Sequence, residues 1–380
     1  PRKRPARRQR SESEKMAKNA NNSALNADTV MKALGTVMEP ELHKDLVTLN
    51  MIRDLAVSDG AVSFMVMLTT PACPLKDVIE RDCRAAVMKV PGAESVSIKW
   101  GSSVPVDSRI IGQLSLPVKT TVAIASGKGG VGKSTVAVNV AVALARAGAS
   151  VGLLDADIYG PNANIMLGAH RMPPPIEENG VQKMMPAVAH GVKLMSMGFL
   201  VKPNQPLVWR GPMLHSAIRQ FLSDVAWGNL DYLIIDLPPG TGDAQLTLAQ
   251  SVPLTGGVIV TLPQEVSQAD ALRGLMMFRQ LDVPVLGVIE NMSYLPMPDG
   301  STMDLFGRGG GRVLAEQTGV PFIGEIPIDP QVRVGGDSGM PIVISNPESA
   351  AAKALTAIAN DIAAKVSVQV SRQSNLIPIQ

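Results

Sequence analysis

The run "TVAIASGKGGVGKSTVAVNVAVALARAG", residues 121–148, restricts the fold of this chain more than any other stretch. A β-rich segment passes through Gly127, four further residues and Gly132-Lys133-Ser134 into a segment with helical composition. A strand that turns through glycines directly into a helix is a phosphate loop. The glycines let backbone N–H groups close around phosphate oxygens with no Cβ in the way. The helix N-terminus adds partial positive charge. This reading assigns nucleotide contacts to Gly127, Gly129, Gly130, Val131, Gly132, Lys133, Ser134 and Thr135. Lys133 pairs with the β/γ-phosphates, the Ser134 hydroxyl binds Mg²⁺, and Thr135 meets the α-phosphate.

Such a loop needs carboxylates at neighbouring strand ends. "YLIIDLPPGTGD" supplies Asp236 after an apolar run, as expected for the acidic residue on the metal side. "VGLLDADIYGPN" supplies Asp155 and Asp157, two apart and so on one face of an extended chain. Asp157 is assigned to the attacking water and Asp155 to support of the metal site. Turn formation is the alternative for either. The segment "PPGTGD" after Asp236 is placed to sense the γ-phosphate.

From residue 118 onward, short apolar runs alternate with helical ones: 134–147, 213–226, 243–251, 265–280, 308–319 and 348–365. Runs apolar on both faces predict a mostly parallel α/β sheet covered by helices on both sides. A small α+β domain precedes it. It has a helix over 27–38 with Asp28 as cap and strands "MIRDLAV" and "AVSFMVML" joined at Asp59-Gly60. A helix over 75–89 and a strand "ESVSIKW" complete it. The expected organisation is a disordered basic tail (1–26), the small domain (27–100), a linker (101–117), the P-loop domain (118–368) and a C-terminal tail (369–380).

Charge separates the tail from the body. Residues 1–15 hold seven Lys/Arg and two acids, leaving 28 basic and 31 acidic residues elsewhere. With aromatics at 3%, base-stacking surfaces and nucleic-acid partners are not expected. No apolar run reaches the roughly 18–20 residues that cross a bilayer, so no membrane role is expected. Two cysteines in 380 residues fit a reducing, cytoplasmic compartment.

Lys128 is the unusual residue of the loop. Lys133 already serves the bound triphosphate, and Lys128 lies on the outer limb. A cation there can reach a phosphate held by a second subunit, as arginine fingers do, which predicts a homodimer joined through its nucleotide faces. The alternative is a solvated loop lysine.

"GKGGVGKST", "DADIYGPN", "IDLPPGTGD" and "ENMSY", in this order and spacing, resemble the Mrp/ApbC family of iron–sulfur cluster carrier ATPases, a branch of the deviant-Walker group. The small domain, with "EPEL", "LTTPACPLK" and "VPGAESVSI", resembles the MIP-type assembly domain found ahead of such ATPases. The resemblance implies slow, regulatory ATP hydrolysis and transfer of clusters to client apoproteins with other iron–sulfur assembly proteins as partners. It makes Lys128 the signature lysine and places Asn291 at the adenine. The competing expectation is a positioning or scaffold ATPase of the MinD/ParA kind, without cluster transfer.

One departure from the family pattern matters. Many members carry C-x-x-C shortly after the ENMS segment. Here Pro296, Met297, Pro298 and Asp299 occupy that region, and the P-loop domain has no cysteine. Only Cys73 and Cys83 remain, and the four histidines form no ligand motif. Cys83 reads as a buried small residue of a helix. Cys73, between prolines near a helix start, is expected to favour thiolate and to be the ligand for a labile cluster.

Overall fold

The computed structural model describes residues 25–110, 117–158, 160–178, 180–200, 211–240 and 242–374. The described residues up to Ser103 form one compact unit and those from Val104 onward a second.

The small unit follows the expected α-β-β-α-β order: α1 (Ala27–Leu34), β1 (Ile52–Ser58), β2 (Ala61–Leu68), α2 (Lys76–Val87) and β3 (Ser95–Ser102). Strand β2 is central, antiparallel to β1 and parallel to β3. Asp59 (φ 46°) and Gly60 (φ 81°) both take left-handed backbone, the geometry that a two-residue hairpin requires. Along β2 every second residue is buried, so Val62, Phe64, Val66 and Leu68 face Ile79, Cys83 and Leu34 of the two helices. A fully buried Phe64 in such a core is worth about 3–5 kcal/mol against truncation to Ala.

Two expectations for this unit are corrected. Helix α1 stops at Leu34, where Gly35 N–H closes the last turn on Met31 O, and does not reach residue 38. Its cap is Asn26, not Asp28: the Asn26 side chain accepts from Thr29 N–H, and the Thr29 hydroxyl lies 3.1 Å from Asn26 N. Asp28 sits in the first turn instead, where its charge favours the helix dipole. Leu25 is buried in the same core, so residues 25 and 26 belong to the unit. The rest of the expected basic tail, residues 1–24, lies outside the described residues.

The second unit is built on eight strands: β4 (Val118–Ala125), β5 (Val151–Asp155), β6 (Ala187–Ala189), β7 (Val192–Ser196), β8 (Leu230–Asp236), β9 (Gly256–Thr261), β10 (Val285–Glu290) and β11 (Phe322–Glu325). Their spatial order is β6-β7-β5-β8-β4-β9-β10-β11. All neighbours run parallel except the β6–β7 hairpin. That hairpin was not read from the sequence. Its signal is His190-Gly191, both with positive φ (52° and 80°). The longer helices are α3 (Lys133–Arg146), α4 (Gly211–Ser223), α5 (Asp243–Ser251), α6 (Glu265–Gln280), α7 (Gly310–Thr318), α8 (Pro330–Ser338) and α9 (Ala350–Ser374). Helix α3 is buried on all sides from Val136 to Leu144, which explains its apolar run without an amphipathic stripe.

Helix α9 runs to Ser374, past the expected end at 365, because Val366, Ser367 and Val370 remain buried and continue its core-facing side. Residues 369–374, expected as tail, are therefore helical, and residues 375–380 lie outside the described residues. The expected linker also has structure. Gly101 and Ser102 close β3. Asp107 is buried, pairs with Arg109 at 2.7 Å and takes part in a turn fixed to Lys119 O. Residues 111–116 lie outside the described residues.

Candidate functional site

The centre of the site is the carboxyl edge of β4, β5 and β8. Asp155 and Asp236 end β5 and β8 directly opposite each other in register. Strand β4 lies on the other side of β8 and feeds the glycine loop. Gly130 (φ 81°) and Gly132 (φ 83°) hold left-handed backbone. Gly127 is needed for a different reason: a Cβ there would lie 2.0 Å from the Asp270 carbonyl carbon on α6.

The loop delivers Lys133 in the first turn of α3, buried to 5% exposure. Its ammonium sits 2.5 Å from Asp236 Oδ1, 3.8 Å from Asp157 Oδ2 and 3.2 Å from the Ser134 hydroxyl. One cation thus meets three of the expected site residues. Burial pushes the Asp236 carboxyl above its ordinary range, and Lys133 pulls it back. Asp155 is also raised, by burial first and by the Asp236 charge second. Asp236 Oδ2 is buried with no hydrogen-bond partner. An orphaned carboxylate oxygen beside a loop serine is the donor set that a hard divalent cation takes.

Asp155 acts on the chain around it. Its oxygens accept from Asp157 N–H (3.2 Å), Ala163 N–H (3.1 Å) and the Ser196 hydroxyl (2.8 Å). Asp157 Oδ1 accepts from Gly160 N–H at 3.2 Å. The loop after β5 is therefore pinned with Asp157 turned to Lys133. Behind Asp236, Gly240 N–H donates to Ser126 O at 3.2 Å and ties the "PPGTGD" segment to the glycine loop. Thr241 lies outside the described residues.

Two cavities adjoin here. One, of about 410 Å³, is lined by the loop backbone with Lys128, Ser134, Thr135 and Asp157. The other, of about 460 Å³ and largely apolar, is lined by Val136, Ile165, Asn291, Met292, Ile326 and Pro327 among others. Gly132, Thr135, Asn162 and Met166 line both. A polar cradle continuous with an apolar slot is the shape of a nucleotide. Asn291 stands in the apolar part, and its amide N–H donates to Val131 O at 2.8 Å. A Cβ on Gly132 would lie 2.2 Å from that amide nitrogen. Met292 (φ 54°) takes a left-handed conformation that few non-glycine residues adopt, which marks this wall as constrained.

Lys128 is half-buried, and among the described residues no carboxylate lies within ion-pairing distance of it. Its carbonyl accepts from the Ser126 hydroxyl at 3.0 Å, which fixes the outer limb of the loop. Cys73 is half-buried and Cys83 buried. The expectation that Cys73 favours thiolate is corrected: burial pushes its thiol above the ordinary value and outweighs the backbone N–H of Leu75. Cys83 is pushed up to about 12, again by burial. Among the described residues no group of three or more His, Cys, Asp or Glu side chains forms a metal site.

Sequence reasoning missed Ser196, which comes from a strand with no motif. It also missed Glu290, because the ENMSY motif points to the asparagine beside it. A third is Gln245 on α5, buried with neither amide atom partnered.

A parallel sheet whose central strand opens into a glycine loop, with carboxylates on the next two strands and a lysine between them, defines a P-loop NTPase. Residues 117–363 match the family model described as NUBPL iron-transfer P-loop NTPase, and residues 27–100 match the model described as iron–sulfur cluster assembly protein. The chain belongs to this iron-transfer P-loop NTPase family, with an assembly-type unit ahead of the NTPase. A relative from Synechocystis, named iron–sulfur cluster carrier protein, is 56% identical over 352 residues, covering 90% of this chain and 99% of its own length. A relative of the same name from Escherichia coli is 39% identical, covering 92% of this chain and 94% of its own. The solved nucleotide-binding protein from Archaeoglobus fulgidus, in complex with ADP, is 39% identical with a TM-score of 0.53. It covers 62% of this chain and 91% of its own. No helix among the described residues is long and apolar enough to cross a membrane.

Proposed function

We propose that this chain is an ATP-hydrolysing iron–sulfur cluster carrier that binds clusters and passes them to client apoproteins. The observation that carries this reading is the pairing, on one chain, of an assembly-type unit and an iron-transfer NTPase unit. The names of the relatives favour the carrier over a positioning or scaffold ATPase.

In this reading the triphosphate lies along Gly127–Gly132, with Lys133 on the β/γ-phosphates and Thr135 on the α-phosphate. The adenine enters the apolar cavity beside Asn291. Ser134 and Asp236 would hold Mg²⁺, which would supply charge neutralisation to the phosphates. Asp155 supports the metal side indirectly, by fixing the loop that carries Asp157. Asp157 orients the attacking water. The water oxygen bonds to the γ-phosphorus as the bond to the β–γ bridging oxygen breaks, leaving ADP and phosphate. Lys128 reaches the phosphates of a second subunit, so hydrolysis is completed by a homodimer joined through its nucleotide faces. Turnover is slow and sets the dimer state. Low cysteine usage supports a cytoplasmic location.

The direct test is to load the chain anaerobically with iron and sulfide and add an apo-acceptor whose colour or activity reports its cluster. The reading expects transfer that responds to Mg²⁺-ATP, and a response that disappears in Lys133→Ala. A loaded chain that transfers nothing, with or without ATP, would leave an NTPase without a carrier role.

A further inference from the structure

Glu290 is fully buried at the end of β10, and among the described residues no Lys, Arg or His side chain lies within ion-pairing distance of it. Its carboxylate is held instead by three donors from two stretches of the chain. The Ser293 hydroxyl donates at 2.5 Å, Gly309 N–H at 2.9 Å and Gly311 N–H at 2.6 Å. The last two belong to the amino end of α7, whose dipole favours a negative charge. The glycines there are steric requirements. A Cβ on Gly311 would lie 2.9 Å from Glu290 Cβ, and one on Gly310 would lie 2.2 Å from Pro263 O. The "GRGGG" run thus lets α7 close directly onto this carboxylate.

A capping role alone would explain those bonds. The neighbours of Glu290 go further. Asn291 follows it in the chain, donates to the glycine loop at Val131 O and lines the apolar cavity. Ser293 N–H donates to Ile326 O, and Ile328 N–H to Tyr294 O, so the residues just after Asn291 and Met292 are laced to the Ile326–Ile328 wall of the cavity. The Ser293 hydroxyl also lies 3.2 Å from Glu325, which pairs with Arg308 at 2.5 Å. Arg308 in turn covers the Tyr294 ring at 4.2 Å. One buried carboxylate therefore joins the cavity wall, the β10 end and the start of α7.

We propose that Glu290 is a positioning residue for the nucleotide site. It makes the 291–294 wall and the amino end of α7 a single unit, so nucleotide in the cavity tightens the Gly309–Gly311 turn. This inference rests on the nucleotide reading given above.

The experiment combines steady-state kinetics with amide hydrogen exchange on the full chain. In wild type, ADP slows exchange over residues 309–311. In Glu290→Gln the new amide N–H₂ must face one backbone N–H, that of Gly309 or of Gly311, which then lacks an acceptor. KM for ATP then rises about tenfold while kcat stays within about twofold, the pattern of lost ground-state binding. The ADP effect on residues 309–311 disappears. Ser293→Ala removes one donor only and raises KM about threefold. If Glu290→Gln does not fold, Ser293→Ala decides. Lower thermal stability in either variant, with KM and the ADP effect unchanged, would reduce Glu290 to a helix cap and overturn the proposal. Failure of wild type to bind ADP at all would be seen first, and would remove the nucleotide reading along with it.

Discussion

The two units bury reactive groups in opposite ways. The P-loop unit takes Lys133, Asp155, Asp157 and Asp236 out of water together, so each has a partner within a few ångströms. The small unit takes Cys73 partly out of water with no cation strong enough to offset it, and the thiol answers by holding its proton. Burial raises the carboxyls of Asp155 and Asp236 as well, but there a buried cation pulls back against it, whereas Cys73 has no such counterweight. The first arrangement is ready to handle phosphate. A metal would bind the second only by displacing the thiol proton, so any such binding would depend on pH.

The sharpest way to break this contrast is to remove the one buried cation. Lys133→Ala leaves Asp157 and Asp236 without their buried cation at one sheet edge. We expect ATP hydrolysis to be abolished, and the buried ion pair to cost about 3–5 kcal/mol of folding stability at neutral pH. Thermal unfolding and a phosphate-release assay measure the two effects. Wild-type turnover in this variant would remove Lys133 from the site.

Lys128 offers a subtler cut through the same loop. It has no carboxylate partner in its own unit among the described residues, so Lys128→Ala should leave stability and ADP affinity within about threefold while hydrolysis falls about 100-fold. Sedimentation with ATP should show weaker self-association. Equal losses of binding and hydrolysis, with association unchanged, would place Lys128 on its own nucleotide.

The thiols sharpen the other side of the comparison with smaller effects. Both have folded-state values above 9.0. Their contribution to stability is therefore complete below pH 9 and is lost as pH rises through the folded values. In native protein at pH 8, alkylation of Cys73 should run about three- to tenfold slower than that of a free thiol, and Cys83 should react only on unfolding. Mass spectrometry of timed iodoacetamide reactions checks this. A Cys73 faster than a free thiol would restore the activated-thiolate expectation.

What was legible in the sequence follows the same physics. The glycine loop was readable because backbone geometry and close approach admit only glycine at positions such as Gly127 and Gly132. Asp155 and Asp236 were readable because strand ends are marked by apolar runs. The Asp59-Gly60 turn was readable because two left-handed residues leave few choices. The misses were of another kind. The α1 cap depended on which of Asn26 and Asp28 reached the Thr29 amide, a matter of two residues. The end of α9 depended on a core that the sequence does not display. Ser196 and Glu290 act through residues far away in the chain, and burial of Cys73 outweighed a helix start that sequence position alone had favoured.

We propose that the P-loop unit supplies the energy coupling and that Cys73 supplies a thiol for the cargo. Anaerobic reconstitution of wild type, Cys73→Ser and Cys83→Ser, with iron and sulfide counted per chain, tests it most directly. One thiolate per subunit is short of the four that a conventional cluster uses, so wild type should bind less than one cluster per chain and hold it weakly. That signal should vanish in Cys73→Ser and remain largely intact in Cys83→Ser, and ATP hydrolysis should survive both. Equal iron and sulfide in Cys73→Ser and wild type would contradict it.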